Sequence, residues 1–395
     1  MQVRSVGTVL PQPVELGPRL HSPSAPAAAN LTNSKRVEGY DVARAIAVLG
    51  MIVVNGWQIL LVGNQHPVWF ISLCRFLFGR PAVLFVILAG VGLSLMARRA
   101  IETNDSKKLA ATRASLFKRS IVLYAMGILF GRWWGADILH FYGVFLSAGA
   151  LLLAVSWKKL GGIILFLLIG SGIVFLIVDN TPPILDNALL QAGMLGEAVD
   201  DLFISGSYPV MPWLLFLLIG LWLGRSGFIS DPRLRSLLCK TAIICLFCAE
   251  LLGRIGPLVL FGKLGFKEEG VLGMLFMLNS FPMTPLFEIS AVSCAIIVLQ
   301  LTLTNPPLFC PPYFWRVLQN TGKLSLSIYI LHIFFFLGIE RMMKQWAGTG
   351  LYPGLATSVV LALLIVTPAL ADNYARHFDK GPFEWLLRRT AAKLW

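Results

Sequence analysis

The chain has 395 residues, of which 56% are hydrophobic and only 13% are charged, and its net charge is +13. A soluble domain carries about 25% charged residues, so this composition excludes an ordinary water-soluble protein. The positive charge does not indicate a nucleic-acid partner, because the basic residues lie in short loops between apolar runs, where they set membrane topology.

The two ends of the chain differ from its middle. Residues 1–35 contain Pro, Ser and Ala and no long apolar run, so they lack the core of a signal peptide and are interpreted as a disordered cytoplasmic tail. Residues 36–378 form the predicted transmembrane helical domain. Residues 379–395 form a basic cytoplasmic C-terminal tail.

Ten apolar runs fill the middle of the chain, and a helix that spans a bilayer needs about 20 such residues. The sequence therefore predicts an all-α, polytopic integral membrane protein with about ten transmembrane helices. The semi-polar stretch 263–283 is a candidate re-entrant segment. The runs cover residues 40–62, 79–97, 119–133, 138–156, 161–178, 209–225, 240–262, 284–303, 323–341 and 351–371.

Lysine and arginine are concentrated in every second connection. The connection from Arg98 to Arg119 is strongly basic, whereas the segment 179–208 contains five acidic residues and no lysine or arginine. Because basic loops stay on the cytoplasmic side, both termini are predicted to be cytoplasmic.

Charged side chains within the apolar runs are costly, so each is a candidate functional residue. Asp41 and Arg44 are three residues apart at the start of the first run, share a helix face and can pair. Glu250 and Arg254 have the favourable order of an intrahelical ion pair. Glu288 in the eighth run has no local partner, so we expect a partner on another helix.

Histidines lie near the predicted outer ends of the helices. His66 follows the polar sequence GNQ after the first run, and His140 lies in ADILHFYG. A neutral imidazole is the usual general base near pH 7, although a pair of ordinary interfacial histidines is the simpler interpretation. His332, in YILHIFFF, is typical of a hydrogen-bonded core histidine. The candidate residues of this outer vestibule are Asn55, His66, Trp69, Arg132, Asp137 and His140.

Motifs of soluble enzymes are missing from the sequence. It contains no P-loop, no GxSxG, no HExxH and no dinucleotide fingerprint. The six cysteines show no paired zinc spacing, so no metal is expected.

The first run resembles the opening of a superfamily of transmembrane acyltransferases. It reads RVEGYDVARAIAVLGMIVVN from Arg36 to Asn55, close to the pattern R-x-x-x-x-D-x-x-R-G-x-A-x-x-G-M-x-x-V-N, with Ala45 where the pattern usually has Gly. The superfamily includes the heparan-alpha-glucosaminide N-acetyltransferases, the sugar O-acyltransferases and a bacterial branch of YeiB-like membrane proteins.

Four later segments are similar to motifs of the same proteins, in the same order. Together with the first run they cover nearly the whole chain, so it is identified as similar to the YeiB-like branch. The segments are ADILHFYGVF (136–145), SYPVMPWLLFLLIGLWLGR (207–225), GKLSLSIYILH (322–332) and HFDKGPFEWLLRR (377–389).

The resemblance implies an acyltransferase that uses acyl-CoA, first of all acetyl-CoA, as co-substrate. The N-acetyltransferase branch ends its first helix with an active-site Asn, followed eleven residues later by a His and then a Trp, which fall here on Asn55, His66 and Trp69. His66 would act as general base or take the acyl group transiently, and Asn55 would hydrogen-bond the thioester oxygen. The implied acceptor is a hydroxyl or amine of a sugar or glycolipid at the outer face.

The CoA-binding residues would lie at the predicted cytoplasmic end of the helices. Arg44 and Arg99 would bind the CoA phosphates, with Asp41 orienting Arg44. The small residues of GRP (79–81) and AGVGLS (89–94) would admit a thin pantetheine arm, and plain helix packing is the alternative explanation for them.

A transporter of a small molecule or lipid, without acyl-transfer chemistry, is the alternative function. Glu250, Arg254 and Glu288 near the membrane midplane suit a carrier as well. We favour acyl transfer because the histidines lie outside and the arginines inside. The expected partners are membrane lipids and a carbohydrate or glycolipid acceptor, with a homodimer compatible with the sequence. Short loops and the YeiB-like ending favour the bacterial cytoplasmic (inner) membrane.

Overall fold

The computed structural model describes residues 38–60, 67–180, 193–263, 275–280, 283–304, 311–347 and 353–394. These residues are 86% helical and contain no strand, in agreement with the predicted all-α fold. The predicted N-terminal tail and most of the candidate re-entrant stretch 263–283 lie outside the described residues.

The described ranges contain fourteen α-helices, α1 to α14 in chain order. A short 3-10 turn follows α5, and π-helical turns follow α7 and α9. The helices are α1 Glu38–Leu60, α2 Val68–Leu77, α3 Arg80–Glu102, α4 Ser106–Gly131, α5 Leu139–Leu151, α6 Trp157–Asn180, α7 Gly193–Asp200, α8 Val210–Arg225, α9 Pro232–Pro257, α10 Pro285–Leu303, α11 Pro312–Lys323, α12 Ser325–Ala347, α13 Pro353–His377 and α14 Pro382–Lys393.

Seven candidate membrane spans are long and apolar enough to cross a bilayer, counted over the described residues: α1, α2 with α3, α4, α9, α10, α12 and α13. The apolar helices around α5 and α8 are shorter. Each of the ten apolar runs overlaps one helix, while a total of ten spans and cytoplasmic termini stay predictions. Of the predicted C-terminal tail, residues 382–393 form α14, which packs on α4 and α12.

The starts of several helices follow local capping chemistry. Asp105 accepts a hydrogen bond from the Lys108 backbone N–H at 2.9 Å and so caps α4. This bond, with the Lys108 ammonium group, lowers the pKa of the Asp105 carboxyl. Asp231 and Thr284 cap α9 and α10. In both helices the first residue is a proline, whose missing N–H would have no acceptor within the helix at that position.

Helices α3 and α8 approach each other through glycines. A Cβ on Gly90 would lie 2.0 Å from the carbonyl oxygen of Leu217, and one on Gly220 would meet the backbone of α3 equally closely. Part of AGVGLS therefore serves close helix packing. Gly92 faces elsewhere, since a Cβ there would lie 3.9 Å from Nη2 of Arg44.

Helix α1 occupies the centre of the described bundle. It contacts α3, α10, α11, α12 and α13, and most of its side chains are buried. The polar residues Asp41 and Asn55 of α1 are therefore buried against other helices. This central position determines where the candidate site lies.

Candidate functional site

Asn55 on α1 and His332 on α12 are hydrogen-bonded to each other in the buried interior. Asn55 Nδ2 lies 3.0 Å from His332 Nε2, and His332 Nδ1 lies 2.8 Å from the carbonyl oxygen of Ile328. A carbonyl oxygen only accepts, so Nδ1 carries the ring proton and Nε2 accepts from the amide of Asn55. The neutral His332 ring thereby holds the Asn55 amide in one orientation.

A small cavity borders Asn55. The volume within which the centre of a water molecule can lie is about 20 Å³. A single water therefore fits into the cavity, whereas an acyl group does not. A substrate must therefore displace some of the lining before it reaches Asn55. The described lining residues are Met51, Val54, Asn55, Gly79, Pro81, Ala82, Ile138, Tyr208 and Tyr329.

Beside the cavity, His140 lies between two carboxylates. Its Nδ1 is 3.2 Å from Oδ2 of Asp137, and its Nε2 is 3.4 Å from Oδ2 of Asp201. Asp137 is fully buried and also accepts bonds from the Leu139 N–H at 3.0 Å and the Tyr329 hydroxyl at 3.3 Å. The hydrogen-bond geometry is met only on the Asp137 side, through Nδ1 of His140, whereas Nε2 is merely close to the Asp201 carboxylate.

Helix α12 joins these two groups of residues. Tyr329 and His332 lie one turn apart on this helix. The Tyr329 hydroxyl donates a hydrogen bond to Asp137, and His332 is hydrogen-bonded to Asn55. Tyr208 completes the wall from the loop before α8. Burial, together with the charge of Asp137, raises the pKa of Tyr208, so its hydroxyl stays protonated at neutral pH.

The structure brings together some of the predicted vestibule residues and separates others. Asn55 lines the cavity, and Asp137 with His140 lies next to it. Trp69 is 56% exposed on α2, and Arg132 is exposed at the end of α4. Neither of the two is among the described residues that line the cavity.

The catalytic role predicted for His66 rests on sequence. His66 lies in the segment 61–66, which is outside the described residues. That segment directly follows α1, whose last turns carry Asn55.

Three participants of the site were not predicted. Tyr329 could have been found from its position three residues before His332 in GKLSLSIYILH, and Tyr208 from its place in the Y-P motif. Asp201 is one of several acidic residues in 179–208, and its position there carries no signal that singles it out.

Arg44 and Asp41, the predicted CoA-binding residues on α1, form an ion pair. Arg44 Nη1 lies 3.1 Å from Asp41 Oδ1, with Asp41 buried and the Arg44 side chain 34% exposed. Eleven residues separate Arg44 from Asn55, about three helical turns and about 16 Å, so both lie on one face of α1. Arg99 is exposed near the end of α3.

The predicted intramembrane residue Glu250 pairs mainly with a residue of another helix. Arg80 donates to its Oε1 and, at 2.7 Å, to Ser290, whose hydroxyl in turn donates to Glu250 at 2.9 Å. Arg254 lies 3.7 Å from Glu250, but its side chain is 75% exposed. Glu288 is buried on α10.

The two late motifs meet at the start of α12. Oε1 of Glu384, on α14, accepts bonds from the backbone N–H groups of Leu326 at 2.8 Å and Ser327 at 3.2 Å, and the Ser327 hydroxyl donates to Oε2. A Cβ on Gly322 would lie 1.7 Å from the carbonyl oxygen of Asp41. The motif GKLSLS thus brings the end of α11 close to α1, and Glu384 of GPFEW fixes the start of α12 to α14.

We expect Glu384→Ala to lower the free energy of unfolding by about 1–2 kcal/mol, because it leaves two backbone N–H groups at the start of α12 without their acceptor. Hydrogen exchange of the α12 N-terminus and thermal unfolding in detergent measure the effect. Glu340→Ala is the matched control, because the ion pair of Glu340 among the described residues is with Lys344, one turn away on α12. Equal effects of the two changes would contradict the capping role.

Metal ligands do not cluster in the described ranges. They contain no group of three or more His, Cys, Asp or Glu side chains that could hold a metal ion.

Comparison with known protein families gives two matches. Residues 36–255, more than half of the chain, match the family model described as "Heparan-alpha-glucosaminide N-acetyltransferase, catalytic". Residues 223–393 match the model described as "Protein of unknown function (DUF418)", the YeiB-like proteins. No curated protein and no solved structure is significantly similar to the chain. Asn55, Asp137 and His140 lie in the first matched region, and Tyr329 and His332 lie in the second.

Proposed function

Because the chain belongs to the YeiB-like family of membrane proteins, which is related to heparan-alpha-glucosaminide N-acetyltransferase, we propose that it is an acyltransferase. In this proposal an acyl group, first of all acetyl, passes from cytoplasmic acyl-CoA to a hydroxyl or amine of a sugar or glycolipid at the outer face. The observation that carries the proposal is the hydrogen bond from Asn55 to His332 beside the cavity. It joins the two matched regions in one polar site within an apolar bundle.

Asn55 is proposed to act on the acyl group. In acyl transfer, negative charge develops on the thioester oxygen as the acceptor attacks the carbonyl carbon. An amide N–H that is already oriented stabilises this charge without rearranging at that moment. His332 supplies the orientation, because its Nε2 accepts one N–H of the Asn55 amide. His332 is thus a positioning residue.

His66 is proposed as the general base, by the resemblance of the first motif. It takes the proton of the acceptor O–H or N–H as the acceptor atom bonds to the carbonyl carbon. The C–S bond then breaks, and CoA leaves as a thiolate that takes up a proton. His140 is not needed for this step. The Asp201 carboxylate lies beside His140 and is 56% exposed, so it can accept hydrogen bonds from the hydroxyl groups of a sugar acceptor.

Acyl-CoA is proposed to approach from the end of α1 that carries Arg44. Arg44 and Asn55 lie on one helix face about 16 Å apart, a distance that an extended pantetheine arm can bridge. Arg44 and Arg99 bind the phosphates, and Asp41 orients Arg44. Gly79 and Pro81 line the cavity beside Asn55, and part of this lining moves when the acyl group enters. In this proposal acyl-CoA is a co-substrate, no metal takes part, and the protein lies in the bacterial cytoplasmic membrane.

The test uses the full chain purified in detergent and acetyl-CoA that is radiolabelled in the acetyl group. We expect the wild type to bind acetyl-CoA and to release CoA. His66→Ala should bind with unchanged affinity and release none, whereas Arg44→Gln should mainly weaken binding. A folded wild-type sample that does not bind acetyl-CoA at micromolar protein and tens of micromolar ligand would contradict the proposal and favour the carrier.

A further inference from the structure

A cleft between α4 and α14 contains three basic side chains and has no part in the proposed transfer. Its volume is about 530 Å³, within the range of small-molecule sites. Lys118 and Arg119 of α4 and Arg388 of α14 line it, with Ser115 and alanines such as Ala391 between them. None of the described residues that line this cleft is acidic.

The chemistry of this cleft favours an anion with several oxygens. The positive charges of Arg119 and Arg388 both line the cleft and are close enough to repel each other. Guanidinium groups bind phosphate oxygens with two parallel N–H donors, and an ammonium group adds a point charge. The hydroxyl of Ser115 is a further donor. Phosphate is therefore the ligand group that these side chains fit.

The surroundings of the cleft favour a lipid as the source of the phosphate. On α14, Trp385 is 48% exposed and Leu386 is 40% exposed, and Arg389 stacks over the Trp385 ring at 4.8 Å. An exposed aromatic side chain beside arginines is typical of a helix at the membrane interface. Further along α4, Ile121 and Ile128 are about half exposed and form an apolar surface.

We propose that this cleft binds the headgroup phosphate of an anionic phospholipid, with the acyl chains lying along the exposed apolar side of α4. Basic pockets between helices at the interface recognise such headgroups in general, and each Lys or Arg contributes to the attraction. The lipid would tie the C-terminal helix α14 to α4. This inference is independent of the acyl-transfer proposal, and the two can fail separately.

The experiment compares lipid binding by the full chain in detergent, measured by native mass spectrometry with phosphatidylglycerol and phosphatidylcholine of identical chains. We expect the wild type to prefer phosphatidylglycerol by about tenfold or more, and Arg119→Gln/Arg388→Gln to lose most of that preference. The control Lys107→Gln/Lys393→Gln removes the same charge from exposed residues outside the described lining and should keep the preference.

A second variant distinguishes binding within the cleft from general electrostatic attraction of the anionic lipid to the basic protein surface. Ala392→Trp fills the cleft without removing a charge, so the preference should fall as well. Equal binding of both lipids by the wild type, or equal loss in the cleft and control variants, would overturn the proposal. Inorganic phosphate and CoA are added as competitors. Displacement of phosphatidylglycerol by either one at millimolar concentration would assign the cleft to a soluble phosphate and overturn the lipid as its ligand.

Discussion

Replacing Asn55 with alanine should slow CoA release from acetyl-CoA by about a hundredfold to a thousandfold, the usual cost of losing one donor to a developing oxyanion. The affinity for acetyl-CoA should change little, because the hydrogen bond from Asn55 to the thioester oxygen forms fully only in the transition state. Single-turnover release of CoA, measured at saturating acetyl-CoA, reports this rate directly.

Two further variants make the Asn55 prediction specific. Val53→Ala truncates a neighbouring buried side chain of α1 that is not among the described cavity-lining residues, and it should keep the rate. His332→Ala should slow release less than Asn55→Ala does, and the double variant should be no slower than Asn55→Ala alone, because His332 acts through Asn55. If the double variant slows release by the product of the two single effects, His332 does not act through Asn55.

Replacing Arg80 with methionine should lower the free energy of unfolding by about 3–5 kcal/mol, since it leaves the partly buried carboxylate of Glu250 without its main partner. The stacking of Arg80 on Phe76, with its guanidinium carbon 4.4 Å from the ring centre, is lost as well. Denaturant unfolding in detergent micelles measures the change.

Arg254→Ala is the control for Arg80, because Arg254 is also paired with Glu250 but is largely exposed and should contribute less than about 1 kcal/mol. Arg80→Met with Glu250→Gln should recover part of the lost stability, because no buried charge remains unpaired. If Arg80→Met is no worse than Arg254→Ala, the network is not structural, and a role of Glu250 in a carrier gains support.

The sequence located the helices well because hydropathy is a local property. Each of the ten apolar runs overlaps a helix, yet helix and run differ in length. The third run covers 119–133, whereas α4 starts at Ser106, because the helix continues through charged residues that hydropathy assigns to a loop. The helices α2, α7, α11 and α14 do not correspond to apolar runs, since their sequences are short or have mixed polarity.

The pairing of side chains could be predicted only where partners are close in sequence. Asp41 with Arg44 follows from helical spacing. The bond from Asn55 to His332 joins residues 277 positions apart, and that from Arg80 to Glu250 joins residues 170 apart. A single sequence shows which polar residues lie in apolar runs but not which helices pack together, so these contacts depend on the tertiary structure.

Transfer across the membrane in proteoliposomes tests the proposed function most directly. Acetyl-CoA, with tritium in the acetyl group and carbon-14 in the pantetheine moiety, is supplied outside, and glucosamine is enclosed as an amine acceptor. An acyltransferase moves tritium onto the enclosed sugar while carbon-14 stays outside. His66→Ala abolishes this transfer, and Asn55→Ala slows it by about a hundredfold to a thousandfold. If both labels enter together, or if tritium never leaves CoA, the chain does not transfer acyl groups.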